Sequence, residues 1–317
     1  MDFLAQYGLF VLESLTLVIA VLLLIAGIAA IARKPKPKLE IISLNQHYND
    51  VKQQMRHEVK GTKIKKIKLS KKDKQLQKEK PSLFVIDFIG DIKASQVTQL
   101  REEITAVLAI AEETDEVVIR LESPGGAVNG YGLAASQLQR VRDKNIPLTV
   151  CIDKIAASGG YLISCVANRI IAAPFAIIGS IGVVAQIPNF NRWLKKNNID
   201  VELITAGEYK RTLTLLGENT DKGRKKFQED LEKIHVAFRD YVGTHRQQLD
   251  IDKVSTGEHW LAVDAYDLKL VDYLKTSDDY LTEKMADYNA FKITNHCKQS
   301  LASKLLKPAM KLLHPWA

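Results

Sequence analysis

Hydrophobic and polar positions divide the chain into three regions of different character. The first 32 residues are mostly apolar, residues 33–80 are polar and rich in lysine, and from Ser82 onward short apolar runs alternate with amphipathic stretches. Short apolar runs bounded by turn residues are typical of buried strands, and apolar positions that repeat every three or four residues are typical of helices. The third region therefore predicts alternating strands and helices.

The predicted elements follow one another in βαβ order. The predicted strands are 83–89, 116–121, 148–152, 169–173 and 201–204. The predicted helices are 95–114, with Ser95 as its N-cap, 127–144, 158–168 and 220–249. Strands that alternate with helices in this way form a mainly parallel sheet with helices packed against it, so the predicted fold class is α/β.

The N-terminal apolar run is long enough to cross a bilayer as a helix. It extends over residues 9–32, and about 20 apolar residues at 1.5 Å each span the hydrocarbon core. A cleaved signal peptide is the alternative, because Ala30-Ile31-Ala32 resembles a cleavage site. No Lys or Arg precedes the run, and it exceeds the usual h-region of about 7–15 residues, which favours an uncleaved anchor.

Positive charge is concentrated directly behind this run. The chain has a formal net charge of +8, and residues 33–80 hold sixteen Lys or Arg against five Asp or Glu. This segment is predicted to be a solvated, partly helical linker that lies near anionic lipid headgroups. We expect no nucleic-acid partner, because the lysine run 63–74 lacks interleaved aromatic side chains.

The regions together predict four segments. They are an anchor (1–32), a lysine-rich linker (33–81), an α/β domain (82–275) and a C-terminal amphipathic tail (276–317). The basic residues 298–313 of the tail would lie on a membrane, on their own domain or on a neighbouring subunit. The three cysteines give neither a disulfide framework nor a zinc motif, and Cys151 and Cys165 are expected in the core.

Ser158 is the strongest candidate for a reactive side chain. It lies in the run DKIAASGGY, where a predicted strand gives way to a helix. A hydroxyl at the N-terminus of a helix lies where a developing negative charge is stabilised. An ordinary N-cap serine would occupy the same place, so this position by itself leaves both interpretations open.

A glycine loop provides the second candidate. Ser123-Pro124-Gly125-Gly126 follows a predicted strand and precedes a predicted helix. Successive glycines can direct backbone N–H groups toward a carbonyl oxygen as it becomes an oxyanion. The alternative is an ordinary turn, because Pro-Gly is a common turn dipeptide.

The base that would activate Ser158 is not expected to be a histidine. No histidine lies between residues 58 and 234, and His235 and His245 are predicted on the surface of a charged helix. A lysine can act as the base when its amine is neutral, and burial favours the neutral form. Lys210 follows the predicted strand 201–204, whereas its competitor Lys154 is expected to point away from the hydroxyl.

Five blocks in this order resemble the SppA/SohB family of Ser/Lys membrane peptidases, over about residues 82–275. The blocks are SPGG (123–126), DKIAASGGY (153–161), GSIGV (179–183), GEYK (207–210) and GEHWLAVDAYDLKLVD (257–272). The resemblance implies a ClpP/crotonase-like fold and peptide hydrolysis without a metal or cofactor. It departs at Lys269, where the family usually has Gly.

The resemblance also implies a role for each site residue. Ser158 would be the nucleophile and Lys210 the base, and Ser180 would hydrogen-bond the lysine amine. Gly125 or Gly126, together with Gly159, would supply the oxyanion donors. Family members form ring- or dome-shaped homo-oligomers, and some build each site from two neighbouring subunits.

The expected function is therefore that of a membrane-anchored serine endopeptidase that acts through an acyl-enzyme. Its substrates would be peptides or proteins, such as signal peptides or envelope proteins, and membrane lipid and further copies of the chain would be its partners. The alternatives are a non-catalytic membrane scaffold and a crotonase-type acyl-CoA enzyme.

The expected location is a bacterial inner membrane, crossed once. The cluster Arg33, Lys34, Lys36 and Lys38 follows the apolar run, so the positive-inside rule places the catalytic domain in the cytoplasm. The family resemblance instead places this domain in the periplasm.

Overall fold

The structure, a computed structural model, describes residues 2–32, 38–61 and 80–296. Two compact units are present, one of residues 41–294 and one of the described parts of 1–40 and 295–317. The lysine run 63–74, the basic stretch 298–313 and the third cysteine, Cys297, lie outside the described residues.

The smaller unit contains helix α1 (Asp2–Ala32), which is 31 residues long. The Ser14 hydroxyl donates to the Phe10 carbonyl oxygen and the Thr16 hydroxyl to that of Glu13, both at 2.8 Å. These side-chain hydroxyls are therefore satisfied within the helix itself. In the part of the chain that the structure describes, no helix combines the length and apolarity needed to cross a membrane.

The larger unit is built from strands and helices in alternation. The strands are β1 (Lys38–Ser43), β2 (Ser82–Ile89), β3 (Glu116–Glu122), β4 (Leu148–Ile152), β5 (Ile155–Ala157), β6 (Arg169–Ala172), β7 (Ile177–Gly179), β8 (His259–Leu261), β9 (Tyr273–Leu274) and β10 (Asn289–His296). The helices after α1 are α2 (Leu44–Lys60), α3 (Val97–Leu108), α4 (Val128–Arg142), α5 (Gly159–Ser164), α6 (Asn191–Lys196), α7 (Asp221–His245), α8 (Ile251–Val254), α9 (Ala262–Asp267) and α10 (Ser277–Lys284).

The strands form two sheets. The larger has the order β1-β10-β2-β3-β4-β6-β9, and its pairs from β10 to β9 are all parallel. The smaller has the order β5-β7-β8, with β5 parallel and β8 antiparallel to β7. The predicted α/β class with a mainly parallel sheet is confirmed.

The central strands are buried on both faces, which explains their nearly continuous apolar sequences. Phe84 and Ile86 of β2 belong to the larger core cluster, which also contains apolar residues of α3, α4 and α5. Leu83 and Val85 alternate with them and pack in a second cluster with Tyr280 of α10. The side-chain alternation of a strand thus gives two separate cores from one apolar run.

Cys151 and Cys165 are free, buried thiols, which confirms the prediction that they lie in the core. Burial raises the pKa of both thiols, because it disfavours the thiolate.

Several helix ends differ from their predicted positions, and the largest difference is at α3, which ends at Leu108 and not at residue 114. Helix α3 begins at Val97 with Gln96 as its N-cap, and the Ser95 hydroxyl instead donates to the Asp91 carboxylate at 2.7 Å. Helix α7 begins as predicted, because Thr220 accepts from the Gly223 N–H at 3.1 Å. It ends at His245, four residues before the predicted end.

The predicted strand 201–204 is wrong. These residues have no regular secondary structure, and Leu203 and Ile204 are exposed. An apolar, β-branched run forms a strand only when it pairs with a neighbour, and no strand of the described residues pairs with it. Lys210 therefore does not follow a strand.

The compact unit covers residues 41–294, whereas the predicted α/β domain covers residues 82–275. Residues 38–60, predicted as linker, form β1 and α2, and residues 277–296, predicted as tail, form α10 and β10. Asn45 at the start of α2 is fixed to β10, since its side-chain oxygen accepts from the Ala290 N–H at 2.7 Å. Local sequence does not reveal such edge pairings, because the partner strands are far apart in the chain.

Lys269 has the backbone conformation of a glycine. Its φ is 63°, and the left-handed region costs an L-residue about 1–2 kcal/mol. Its N–H donates to the Tyr266 carbonyl oxygen at 2.9 Å, and its own carbonyl oxygen accepts from the Arg246 guanidinium at 3.0 Å. The departure from the family pattern thus leaves the turn intact.

Candidate active site

Ser158 lies at a strained turn between β5 and α5. Its φ is 52° and its ψ is −118°, a combination that costs a non-glycine residue about 1–3 kcal/mol. Its N–H donates to the Gly179 carbonyl oxygen at 2.8 Å, which holds the backbone in this conformation. The side chain makes no capping hydrogen bond to α5, although Ser158 is the N-cap residue. The hydroxyl is therefore left available for other chemistry.

Ser158 lines an open cleft of about 1490 Å³ in the larger unit. The cleft brings Ser158 together with Ser180 and with the three candidate glycines, Gly125, Gly126 and Gly159. Much of the remaining wall is apolar and comes from α4, α5 and α7, including Val128, Ala135, Leu162, Leu231, Ile234 and Phe238. The site thus places an uncapped serine hydroxyl in a largely apolar cleft.

The pairing of β5 with β7 brings Ser158 and Ser180 to neighbouring positions. Ala157 is opposite Gly179 in the register, so the residue that follows each strand lies at the same edge. Ser180 has a φ of 53°, and its N–H donates to the Glu258 carbonyl oxygen at 2.5 Å. Both serines thus leave their strands through left-handed turns held by backbone hydrogen bonds.

The glycine loop lies against the nucleophile turn. Gly125 has a φ of 90°, and a Cβ on it would be 2.7 Å from Ser158 Cβ and 2.8 Å from the Gly159 nitrogen, so no larger residue fits. The Gly125 N–H already donates to Ser123 Oγ at 3.1 Å. Among the described residues, the N–H groups of Gly126 and Gly159 have no hydrogen-bond partner.

The structure does not bring Lys210 to this cleft. Lys210 is exposed, and its backbone N–H donates to the Gly207 carbonyl oxygen at 3.2 Å. It lies in residues 183–217, which we call the exposed arm. This segment carries many exposed large apolar side chains, among them Val184, Phe190, Trp193, Ile204, Leu215 and Leu216.

Lys154, the other candidate base, is engaged elsewhere. Its amine pairs with the Glu122 carboxylate at 2.9 Å, its side chain is 70% exposed, and it does not line the cleft. The expectation that Lys154 points away from Ser158 agrees with this geometry.

Sequence patterns missed two basic side chains that line the cleft, Lys233 and His235, both on α7. His235 was predicted on the surface, but it is half-buried, and its Nε2 lies 2.9 Å from the Ser255 carbonyl oxygen. His245 is likewise half-buried, with Nε2 at 2.9 Å from the Gln139 side-chain oxygen. The apolar stripe of α7 was the only local signal that this helix packs against the domain.

A strained serine in a cleft, with unengaged backbone N–H groups beside it, is a site of the serine-hydrolase class. Residues 2–138 match the model of the peptidase family S49 N-terminal region, and residues 140–290 match that of peptidase family S49. The chain belongs to peptidase family S49 and is a serine peptidase.

Two curated relatives support this assignment over nearly the whole chain. A "Probable protease SohB" of Buchnera aphidicola subsp. Schlechtendalia chinensis is 50% identical over 305 residues, which cover 90% of this chain and 100% of the relative. A "Probable protease SohB" of Haemophilus influenzae is 46% identical over 329 residues, which cover 97% of this chain and 93% of the relative.

One solved structure is a more distant match. A 1510-N membrane-bound stomatin-specific protease in complex with a substrate peptide aligns with a TM-score of 0.46 and 15% identity, covering 72% of this chain and 99% of that one.

Proposed function

We propose that the chain is a membrane-anchored endopeptidase with Ser158 as the nucleophile and Lys210 as the general base. The observation that carries the proposal is the strained, uncapped Ser158 at the cleft. A serine that served only as an N-cap would accept a hydrogen bond from the first turn of the helix, and this one does not. This favours the peptidase over the scaffold alternative.

The lining of the cleft argues against the crotonase-type alternative. That chemistry requires acidic catalytic residues near the second glycine loop, and no Asp or Glu is among the described residues that line the cleft. The apolar walls suit instead the side chains of an extended peptide. Segments of signal peptides or envelope proteins, which are rich in apolar residues, are the substrates that we infer.

The proposed reaction proceeds in two steps. The neutral Lys210 amine takes the proton of Ser158 Oγ, which attacks the peptide carbonyl carbon, and the lysine ammonium then returns the proton to the leaving amine as the C–N bond breaks. In the second step water, deprotonated by the same amine, attacks the ester. The C–O bond to Ser158 breaks, and the hydroxyl and amine are restored.

Gly126 and Gly159 are the proposed oxyanion donors. Their N–H groups have no partner among the described residues, whereas the Gly125 N–H is already engaged by Ser123. Gly159 lies in the first turn of α5, where N–H groups have no intrahelical acceptor. Each donor in a protease site of this kind is worth about 3–4 kcal/mol in the transition state.

The position of Lys210 supports an active homo-oligomer. Lys210 lies outside the cleft of its own chain, on the exposed arm with its unpaired apolar side chains. Several exposed large apolar side chains within one segment suit an interface with another copy. We infer that the arm of one copy packs on the next and delivers Lys210 to Ser158 of that copy, where Ser180 accepts a hydrogen bond from the amine.

The membrane assignment rests on the N-terminal sequence. The apolar run extends to Ala32, and side-chain exposure in α1 is described as far as Val21. The Ser14 and Thr16 hydroxyls donate to carbonyl oxygens of the helix itself, as polar groups in lipid must. Helix α2 adds an exposed apolar face of Tyr48, Val51, Met55 and Val59, suited to contact with lipid. We infer a single-pass protein of a bacterial inner membrane with a ClpP/crotonase-like domain in the periplasm.

Alkaline phosphatase fused after Ala317 tests this topology, because the phosphatase is active only in the periplasm. We expect a phosphatase-positive fusion that stays with the membrane pellet after carbonate extraction. An inactive fusion in the pellet would place the domain in the cytoplasm, as the positive charge behind α1 requires. A fusion released by carbonate would contradict the anchor itself.

The covalent intermediate tests the nucleophile. Full-length protein in detergent is mixed with the p-nitrophenyl ester of a short apolar peptide and quenched in acid, and the adduct is located by peptide mass spectrometry. We expect the acyl group on Ser158, and none in the Ser158→Ala variant. Hydrolysis that continues in Ser158→Ala, or an acyl group on another residue, would contradict the proposal.

A further inference from the structure

We propose that Ser123 and Tyr131 are positioning residues for catalysis. They form a buried hydrogen-bond chain that fixes the glycine loop 123–126 and thereby aims the Gly126 N–H at the oxyanion. The inference rests on the proposed roles of Ser158 and of the loop. Neither residue is expected to touch the substrate's reacting atoms.

The chain of hydrogen bonds has three links. The Gly125 N–H donates to Ser123 Oγ at 3.1 Å, Ser123 Oγ lies 2.6 Å from Tyr131 Oη, and Tyr131 Oη donates to the Asp91 carbonyl oxygen at 2.8 Å. Ser123 and Tyr131 are both fully buried, with 0% exposure. The chain thus connects the glycine loop to the turn that follows β2.

The donor direction of each link follows from the last one. A carbonyl oxygen can only accept, so the single Tyr131 proton is committed to Asp91. Tyr131 Oη must therefore accept from Ser123, whose oxygen remains free to accept from Gly125. Each donor in the chain therefore has one acceptor. The Pro124–Gly125 peptide plane is held in the orientation in which the Gly125 N–H can donate to Ser123 Oγ.

The same residues also hold the nucleophile turn. Ser123 N–H donates to the Ile155 carbonyl oxygen at 2.8 Å, and Ala157 N–H donates to the Ser123 carbonyl oxygen at 3.0 Å. The Tyr131 ring packs on Gly159 so closely that a Cβ there would lie 2.4 Å from its Cγ. Ser123 and Tyr131 thus contact both the glycine loop and the two residues that flank Ser158, Ala157 and Gly159.

The hydroxyl pair has no room to rearrange. A Cβ on Gly90 would be 2.3 Å from Ser123 Oγ and 2.4 Å from Tyr131 Oη, so the backbone of Gly90 closes this side of the chain. Burial raises the pKa of Tyr131, so its proton stays in place through the pH range of an assay.

Loss of the Tyr131 hydroxyl would leave the Ser123 proton without its acceptor. The space left by Tyr131 Oη would let the Ser123 hydroxyl turn toward another acceptor, and Gly125 would lose its fixed partner. A small shift of the loop would misplace the Gly126 N–H, which bonds the substrate oxygen only as negative charge develops. We therefore expect kcat to fall with little change in KM.

The test compares Tyr131→Phe, Ser123→Ala and the double variant in the full-length protein. Tyr131→Phe keeps the ring on Gly159 and removes only the hydroxyl. The matched control is Tyr161→Phe, because Tyr161 is also fully buried and donates to a carbonyl oxygen, that of Leu270, at 3.0 Å. We expect kcat to fall about 10- to 100-fold in the first two variants, with KM changed less than about twofold. The kcat of the double variant should equal that of the single variants, because either substitution alone already interrupts the hydrogen-bond chain.

Inhibitor binding separates positioning from a merely structural role. A peptide aldehyde forms a hemiacetal whose oxygen uses the oxyanion donors, and the matching peptide alcohol does not. We expect Tyr131→Phe to weaken the aldehyde about tenfold or more and to leave the alcohol unchanged, with Tyr161→Phe changing neither.

Equal losses in Tyr131→Phe and Tyr161→Phe, or multiplicative losses in the double variant, would overturn the inference. Ser158→Ala, assayed beside them, keeps the two proposals apart. Activity retained in Ser158→Ala would mean that the proposed nucleophile is wrong. Activity lost in Ser158→Ala but kept in Tyr131→Phe would refute the positioning chain alone.

Discussion

Replacing either Lys210 or Ser158 with Ala is expected to lower kcat/KM for peptide hydrolysis by about 10⁴-fold or more, with the protein still folded. Nucleophile and base act as one unit, so the loss of either removes nearly all of their joint contribution. The residual rate would come from the oxyanion donors and from substrate binding. Steady-state hydrolysis of a fluorogenic peptide, with circular dichroism to check folding, measures both effects.

Lys233→Ala is the matched control for the base, because Lys233 lines the cleft of its own chain. We expect this variant to keep most of its activity. If Lys233→Ala were inactive and Lys210→Ala active, the base would be Lys233, and the proposed role of the exposed arm would be wrong.

Mixing the two inactive variants tests whether the site is shared between copies. If Lys210 of one copy serves Ser158 of another, co-assembled Ser158→Ala and Lys210→Ala chains contain intact sites. Random assembly at equal amounts would restore about a quarter of the wild-type rate. No recovery after subunit exchange, confirmed by a tagged copy, would place both residues of each site in one chain.

Asp272→Ala is expected to lower the free energy of unfolding by about 3–5 kcal/mol, because it leaves a buried guanidinium unpaired. Asp272 accepts from Arg246 through both oxygens, at 2.8 and 2.9 Å, and from the Ile170 N–H at 2.7 Å. The Arg246 side chain is only 3% exposed. Burial alone would lower the pKa of Arg246, but the hydrogen bond to Asp272 and neighbouring charges raise it.

Glu218→Ala is the matched control for this stability change. Lys195 and Glu218 have the same 2.8 Å separation as the buried pair, but their side chains are 54% and 72% exposed. We expect no measurable shift of the unfolding midpoint, since water replaces an exposed partner. Similar shifts for Asp272→Ala and Glu218→Ala in chemical denaturation would contradict the role of burial.

Strands are the elements for which sequence and structure differ most. The strand 201–204 was predicted from four residues of suitable type, yet in the structure they lie on the exposed arm without a strand partner. The strands β1 and β10 were missed for the opposite reason, because they carry many polar residues and gain their place from pairing. Strand formation depends on a partner more than on composition.

The sequence by itself determined the central strands, the glycine loop and the turn at Ser158. These features depend on neighbours within a few residues, on apolar periodicity and on the conformations that only particular residue types allow. Only the tertiary structure decided that Ser180 lies beside Ser158, that Lys210 lies outside the cleft of its own chain, and that Tyr131 is enclosed with Ser123. The physical reason is that strand register, burial and side-chain contacts join residues far apart in the chain, and no local pattern encodes their distances.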